Sequence, residues 1–287
     1  MRFVSFRQGG AARLGVLAAD GVIDLNQAQP QVPADLGAAL WQGADVLGAA
    51  KAALASGAAR ISLADIEYAA PVVRPGKIIC LGLNYYDHAK EGGRDKPDYP
   101  WFFLRSATSL IAHGEAGIRP RVSERFDYEA ELAVVIGKKA RHLTQANALD
   151  CVFGYSCFND MSVRDYQKKT PQWTIGKNFD GTGGFGPVLV TADELAPGAT
   201  GLRIQSRLNG KIMQDANTTD MIWGVTETIT LLTECMTLEP GDLIIMGTPA
   251  GVGQARTPPV WMKDGDTIEI EIEKIGLLSN PICNEAP

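Results

Sequence analysis

From Lys77 onward the chain is a succession of short strand-length runs broken by glycines, with no regular strand–helix alternation. KIICLGL, ELAVVIG, VFGYSCF, PVLVT, LRIQSRL, LIIMG and TIEIEIEKIG all have the length and apolar content of strands. A doubly wound parallel sheet needs a helix in each βαβ unit of roughly 30 residues, so that architecture is disfavoured. The pattern predicts an α+β, β-rich domain over residues 71–287. Two segments have helical spacing instead. One is short, Tyr85 to Glu91. The other runs from Met221 to Met236, with Met221, Ile222, Val225, Ile229, Leu232 and Met236 on one face and Thr218, Thr219 or Asp220 as its cap.

Residues 1–70 differ in character. RFVSFR, ARLGVLAA and GVIDL are short strand-like runs between glycine turns, followed by the alanine-rich, helix-spaced DLGAALWQGADVLGAAKAALA. They predict a small N-terminal α/β domain without chemistry. AAPVVRPGK (69–77), with two prolines and a glycine, reads as a linker. At 287 residues the chain can bury a large core without disulfides. The five cysteines form no CxxC pair and predict reduced thiols in a cytoplasm, with Cys80 in the core. The start MRFVSFRQGG has no apolar signal-peptide core, and no apolar run reaches membrane-span length. A net charge of −6 argues against a nucleic-acid partner.

Three segments concentrate candidate chemistry. In FDYEAELAVVIG, side chains alternate, so Glu129 and Glu131 share one side with Ala133 and Val135, while Ala130, Leu132, Val134 and Ile136 take the other. Two carboxylates on one side of an apolar strand repel, and a bound cation relieves that; two solvent-exposed acids would do so as well. VFGYSCFNDMSVRDYQ puts Asp160 at the end of an apolar run, with Arg164 and Gln167 three apart on a helical turn. Three carboxylates make an oxygen-rich site for magnesium or manganese; calcium also accepts such a set, and zinc suits it less without a histidine nearby. In LGLNYYDHAKEGG, His88 and Glu91 are three apart on a helix face, either a surface pair or a general base with an orienting carboxylate. EGGRDKPDYP after them has the composition of a mobile lid.

Lys177, in WTIGKNFDGTGGFGP, is a candidate to hold an anionic intermediate, or else a solvated lysine at a loop edge. GTPAGVG follows a strand, and its backbone N–H groups with the Thr248 hydroxyl suit a carboxylate; it is not a nucleotide loop. Arg105, in WFFLRSATS, is a further candidate anion contact. His113 reads as a turn residue and His142 as exposed.

Together, and in this order, KIICLGLNYYDHAKE, DYEAELAVVIGKKAR, GYSCFNDMSVRDYQ, WTIGKNFD, LNGKIMQDANTTDMIW, TLEPGDLIIMGTPAGVG and GDTIEIEIEKIGLLSNPI resemble the fumarylacetoacetate hydrolase superfamily across residues 77–282. The resemblance implies a mixed β-sandwich roll, with residues 1–70 similar to the N-terminal domain of bacterial members, and a homodimer. It implies that Glu129, Glu131 and Asp160 bind the metal and that His88 and Glu91 activate water. It also implies that Arg164, Gln167, Lys177 and Thr248 contact substrate or intermediate. Arg105 stands where many members carry lysine, with Ser106 in place of proline. DGTGGFGP is richer in glycine than the usual stretch.

The activity implied is metal-dependent hydrolysis of a C–C bond in a β-diketo acid of acylpyruvate, fumarylpyruvate or fumarylacetoacetate type, as in aromatic catabolism. The metal would act as a Lewis acid on the 2-keto acid, His88 would take a proton from water, and the leaving enolate would be held by the metal and Lys177. The same parts suit a decarboxylase of oxaloacetate type, or an isomerase or lyase on unsaturated 2-oxo diacids. A metal-stabilised binding protein without turnover is the alternative outside enzymology.

Overall fold

The computed structural model describes residues 1–93 and 95–286. Arg94, inside the expected lid, lies outside the described residues. The chain is β-rich, as its pattern predicts. Eleven strands form one mixed sheet. Its centre runs from Gly183–Thr191 through Val152–Asp160, Ala130–Ile136 and Leu243–Ile245 to Ile78–Gly82, with Trp101–Arg105 at the edge. A second sheet of five strands includes Arg203–Leu208, Thr267–Ile272 and Gly276–Asn284. The alternation TIEIEI places Ile268, Ile270 and Ile272 inward and Thr267, Glu269 and Glu271 on the other, half-buried side.

The N-terminal strands Arg2–Gln8, Ala11–Ala18 and Gly21–Asp24 are not a separate sheet. Arg2 and Phe3 pair with Val190 and Leu189, so the large sheet runs unbroken from the N-terminal region into the rest of the chain. Residues 69–77 carry no strand or helix. Two apolar clusters cover the two faces of the large sheet. Ala130, Leu132, Val134 and Ile136 belong to the cluster shared with the second sheet. Ala133 and Val135 belong to the other, shared with Leu36, Ala39, Val46 and Ala50 of the N-terminal helices. The period-two reading of this strand therefore holds residue by residue. Ile78–Gly82 reads as a continuous apolar run because it is buried on both faces. Cys80 is buried, and all five cysteines are unpaired.

The second long helix is shorter than its periodicity suggests. It spans Val225–Cys235, with Gly224 as N-cap. Met221, Ile222 and Trp223 stay outside the helix: Ile222 N–H donates to the Asn84 carbonyl (2.7 Å), Trp223 N–H to Asn84 Oδ1 (2.8 Å), and Met221 bridges Tyr85. Tertiary hydrogen bonds to Asn84 thus replace one helical turn. Thr218–Asp220 form a separate 3₁₀ turn capped by Asn217, so none of the three caps the helix. The short helix spans Tyr86–Glu91. His113 lies in a turn and His142 is exposed. Among the described residues no helix is long and apolar enough to cross a membrane.

Candidate active site

The buried acids are set by two adjacent strands. Glu131 lies in Ala130–Ile136, Glu129 immediately precedes it, and Asp160 ends the antiparallel neighbour Val152–Asp160. Ala130 pairs with Asn159, which brings the three carboxylates to one end of the pair. Their oxygens lie within 4.8 Å of one another, and they are 5%, 1% and 0% exposed. The solvent-exposed alternative for the glutamate pair is thereby removed.

Cations surround them. Lys177 closes the short helix Thr174–Lys177, fully buried rather than at a loop edge. Its ammonium donates to Glu129 Oε2 and Asp160 Oδ2, both at 2.6 Å. Arg164 opens the turn Arg164–Gln167 and meets Glu129 Oε1 at 2.7 Å and Asp127 Oδ2 at 2.8 Å. Arg105 donates to the remaining oxygen of Asp160. Burial alone would raise the Glu129 carboxyl, but Arg164 and Lys177 outweigh it and hold it down to about 2. Burial would lower Lys177, and Asp160 and Glu129 more than reverse that, so it stays an ammonium.

Glu131 is the exception. Its only hydrogen bond among the described residues comes from Gly247 N–H (2.6 Å), and it has no ion-pair partner there. Burial, then Asp160 and Glu129, push its carboxyl well above the ordinary range. Asp127, Glu129, Glu131 and Asp160 face Arg105, Arg164 and Lys177: four buried carboxylates against three buried cations. An all-oxygen donor set with one carboxyl lacking an ion-pair partner among the described residues fits a hard divalent cation.

Glu129 and Glu131 open into a cleft of about 810 Å³, with Asp160 buried behind them. Glu129, Glu131, Arg164, Gln167, Lys177, Thr248, His88 and Glu91 all line it, together with Trp101, Phe103 and Trp173. His88 Nδ1 lies 2.8 Å from Glu91 Oε1, and Nε2 has no hydrogen-bond partner among the described residues. Gln167 accepts from Arg164 Nη1 (3.0 Å), and Thr248 Oγ1 accepts from Gln214 Nε2 (2.7 Å). Arg105, expected as an anion contact, does not line the cleft. It lies behind Asp160, 4% exposed, with its guanidinium spent on Asp160, Thr182 and Ser109.

The GTPAGVG loop also departs from expectation. Three of its N–H groups hold the protein's own acids: Gly247 donates to Glu131, Gly251 to Glu91 Oε2 (2.9 Å) and Gly253 to Asp127 Oδ1 (2.7 Å). Asp127 escaped the sequence reading although the two-residue period of Glu131 and Glu129 extends back to it. Gln214, which ties Thr248 to the Ala130 N–H (3.0 Å), had no local signal at all.

Residues 77–283 match the sequence profile described as "Fumarylacetoacetate (FAA) hydrolase C-terminal". The chain is 39% identical over 288 aligned positions to a mitochondrial oxaloacetate tautomerase (fahd2) of Xenopus laevis, covering 98% of this chain and 90% of that protein. A fumarylacetoacetate hydrolase of Exiguobacterium antarcticum superposes with a TM-score of 0.86 at 36% identity, covering 99% of this chain and 100% of that one. Maleylpyruvate hydrolase of Sphingobium sp. SYK-6, solved with manganese(II) and pyruvate, superposes with a TM-score of 0.81 at 32% identity over the full length of both. With the family profile matched over most of its length, and the buried acids in place, this chain belongs to the fumarylacetoacetate hydrolase family.

Proposed function

We propose that the chain is a divalent-metal-dependent enzyme that works through the enol or enolate of a 2-oxo acid, and that it interconverts the keto and enol forms of an oxaloacetate-type diacid. The observation that carries this reading is the buried Glu131 carboxyl, which has no ion-pair partner among the described residues, in the same cleft as an oriented His88–Glu91 pair. It rests also on the near full-length similarity to the Xenopus laevis tautomerase. Glu129, Glu131 and Asp160 would hold the ion, magnesium or manganese. A divalent ion there supplies Lewis acidity toward a 2-oxo oxygen and its neighbouring carboxylate.

The rest falls to the chain's own groups. Thr248 and Gln167 bind the substrate carboxylate. Lys177, kept cationic by its acidic neighbours, stabilises negative charge on the enolate oxygen. His88 Nε2 moves the proton at the adjacent carbon, while Glu91, itself fixed by Gly251 N–H, sets the imidazole's tautomer and orientation. Trp101, Phe103 and Trp173 limit water in the cleft. The unpaired thiols suit a reducing compartment.

C–C hydrolysis of an acylpyruvate is the second reading. Its support is the same dyad, whose free Nε2 is equally suited to activating water, and the likeness to the maleylpyruvate hydrolase. The test is a product assay with oxaloacetate, fumarylpyruvate and simple acylpyruvates, each with manganese and with EDTA. Metal-dependent decay of the enol absorbance of oxaloacetate, without carbon dioxide, supports the tautomerase. Release of pyruvate plus a second acid from a diketo acid supports the hydrolase instead. Rates indifferent to EDTA with every substrate would refute both.

A further inference from the structure

We propose that Arg105 is a positioning residue for Asp160, and that Gly183 is a glycine because the Arg105 guanidinium fills the space a side chain would take. The inference rests on the metal reading above, since Asp160 is assigned there as a ligand.

Arg105 ends the edge strand Trp101–Arg105 and points inward, its side chain wholly buried. Its fork makes three side-chain contacts at once, besides a 3.5 Å contact of Nη1 with the Met161 carbonyl. One Nη1 hydrogen goes to Asp160 Oδ1, Nη2 donates to Thr182 Oγ1 at 2.9 Å, and Nε donates to Ser109 Oγ at 3.3 Å. The other Asp160 oxygen accepts from Lys177 on the cleft side. Asp160 is therefore gripped from both sides, and the grip from behind is directional: a planar guanidinium anchored at two further points fixes the tilt of the carboxylate. A lysine offers a single point charge and cannot reach all three acceptors.

The fork needs room. A Cβ on Gly183 would lie 3.0 Å from Nη2 and 3.3 Å from Nε of Arg105, and 3.3 Å from Leu110 Cδ2, so the guanidinium is its nearest neighbour. Thr182, one residue earlier, supplies an acceptor. The glycine-rich run DGTGG thus provides both a partner and a vacancy for the guanidinium. The two local departures noted in the sequence, arginine at 105 and extra glycine near 183, become one feature.

The test is calorimetric titration of metal-free Arg105→Lys, Gly183→Ala and the double variant with Mn²⁺, beside thermal melting in EDTA. Arg105→Lys is expected to weaken Mn²⁺ binding by about 10- to 100-fold, the usual cost of losing a group that orients a ligand. Gly183→Ala is expected to weaken it as well, by displacing the fork. The double variant should bind within about threefold of Arg105→Lys, because the methyl enters space the guanidinium has left; independent sites would multiply the two losses. Wild-type affinity in Arg105→Lys, with or without a lower melting temperature, would overturn the positioning role. A double variant showing the product of the single losses would overturn the pairing with Gly183. If Gly183→Ala does not fold, Thr182→Val, which removes one acceptor, is expected to weaken binding in the same direction, and unchanged affinity there counts against the proposal. A wild type that binds no Mn²⁺ would overturn the metal reading itself, and the Arg105 assignment with it.

Discussion

Replacing Glu131 by glutamine should make the metal-free protein more stable while destroying its response to metal. Glu131 is 1% exposed; its one hydrogen bond among the described residues comes from Gly247 N–H, nearby Lys177 offsets part of the cost, and Asp160 and Glu129 add repulsion. An uncompensated charge in a protein interior costs on the order of 3–5 kcal/mol. The Gly247 hydrogen bond and the nearby Lys177 reduce that, leaving about 1–3 kcal/mol to be recovered by Glu131→Gln, which keeps an acceptor for Gly247. For a chain of this size that is a rise in melting temperature of roughly 3–10 °C in EDTA near pH 7.5.

The pH dependence supplies the sign. The folded-state carboxyl titrates above its ordinary value of 4.5, so between the two values the folded protein holds a proton that the unfolded chain has lost. In that window metal-free wild type loses stability as pH rises. The penalty is absent below the ordinary glutamate value, and Glu131→Gln should lack this component. Glu129 acts oppositely: held down to about 2, it contributes stability that is lost as pH falls from the ordinary glutamate range toward 2. The difference between wild type and variant isolates Glu131. With Mn²⁺ at a hundred times its dissociation constant, wild type should gain about 2.7 kcal/mol and the variant little. Melting curves at several pH values, in EDTA and in Mn²⁺, decide it. A variant that melts lower than wild type in EDTA near neutral pH, or that gains as much from Mn²⁺, would show the reasoning to be wrong.

Three further outcomes follow from the geometry. His88→Asn should lower kcat by about 10²- to 10⁴-fold with Mn²⁺ affinity unchanged, measured by steady-state kinetics and calorimetry; retained kcat would remove His88 from proton transfer. Lys177→Met leaves Glu129 and Asp160 without their shared ammonium, so it should destabilise the metal-free protein by about 3–5 kcal/mol in denaturant unfolding, with partial recovery on adding Mn²⁺; an unchanged midpoint in EDTA would contradict this. Gly82→Ala places a Cβ 2.0 Å from Trp173 Cζ3, so the indole must swing from its place on the cleft wall. A changed tryptophan fluorescence and a raised KM with unaltered Mn²⁺ affinity are expected, and identical spectra and KM would disprove the close approach.

Much of the site was legible because its residues lie in short segments whose local geometry is simple. A period of two placed Glu129 and Glu131 on one side of a strand, and helical spacing of three brought His88 to Glu91 and Arg164 to Gln167. Ala133 and Val135 separated from Leu132 and Val134 for the same reason. What periodicity could not supply was partnership between distant segments. Asn84 draws residues 221–223 out of the helix from 139 positions away in the case of Trp223. Three of the GTPAGVG amides, those of Gly247, Gly251 and Gly253, which with the Thr248 hydroxyl read as an anion site, hold Glu131, Glu91 and Asp127.

The chain by itself determined a β-rich fold and a set of acids, bases and cations at defined spacings, because side-chain direction within one strand or helix depends only on neighbours in sequence. Tertiary structure alone decided which charges cancel. It put Lys177 between Glu129 and Asp160, turned Arg105 to the back of Asp160, and left Glu131 with no ion-pair partner among the described residues. The interaction of two charges depends on their separation in space and on the water excluded around them, and neither is encoded in any local pattern.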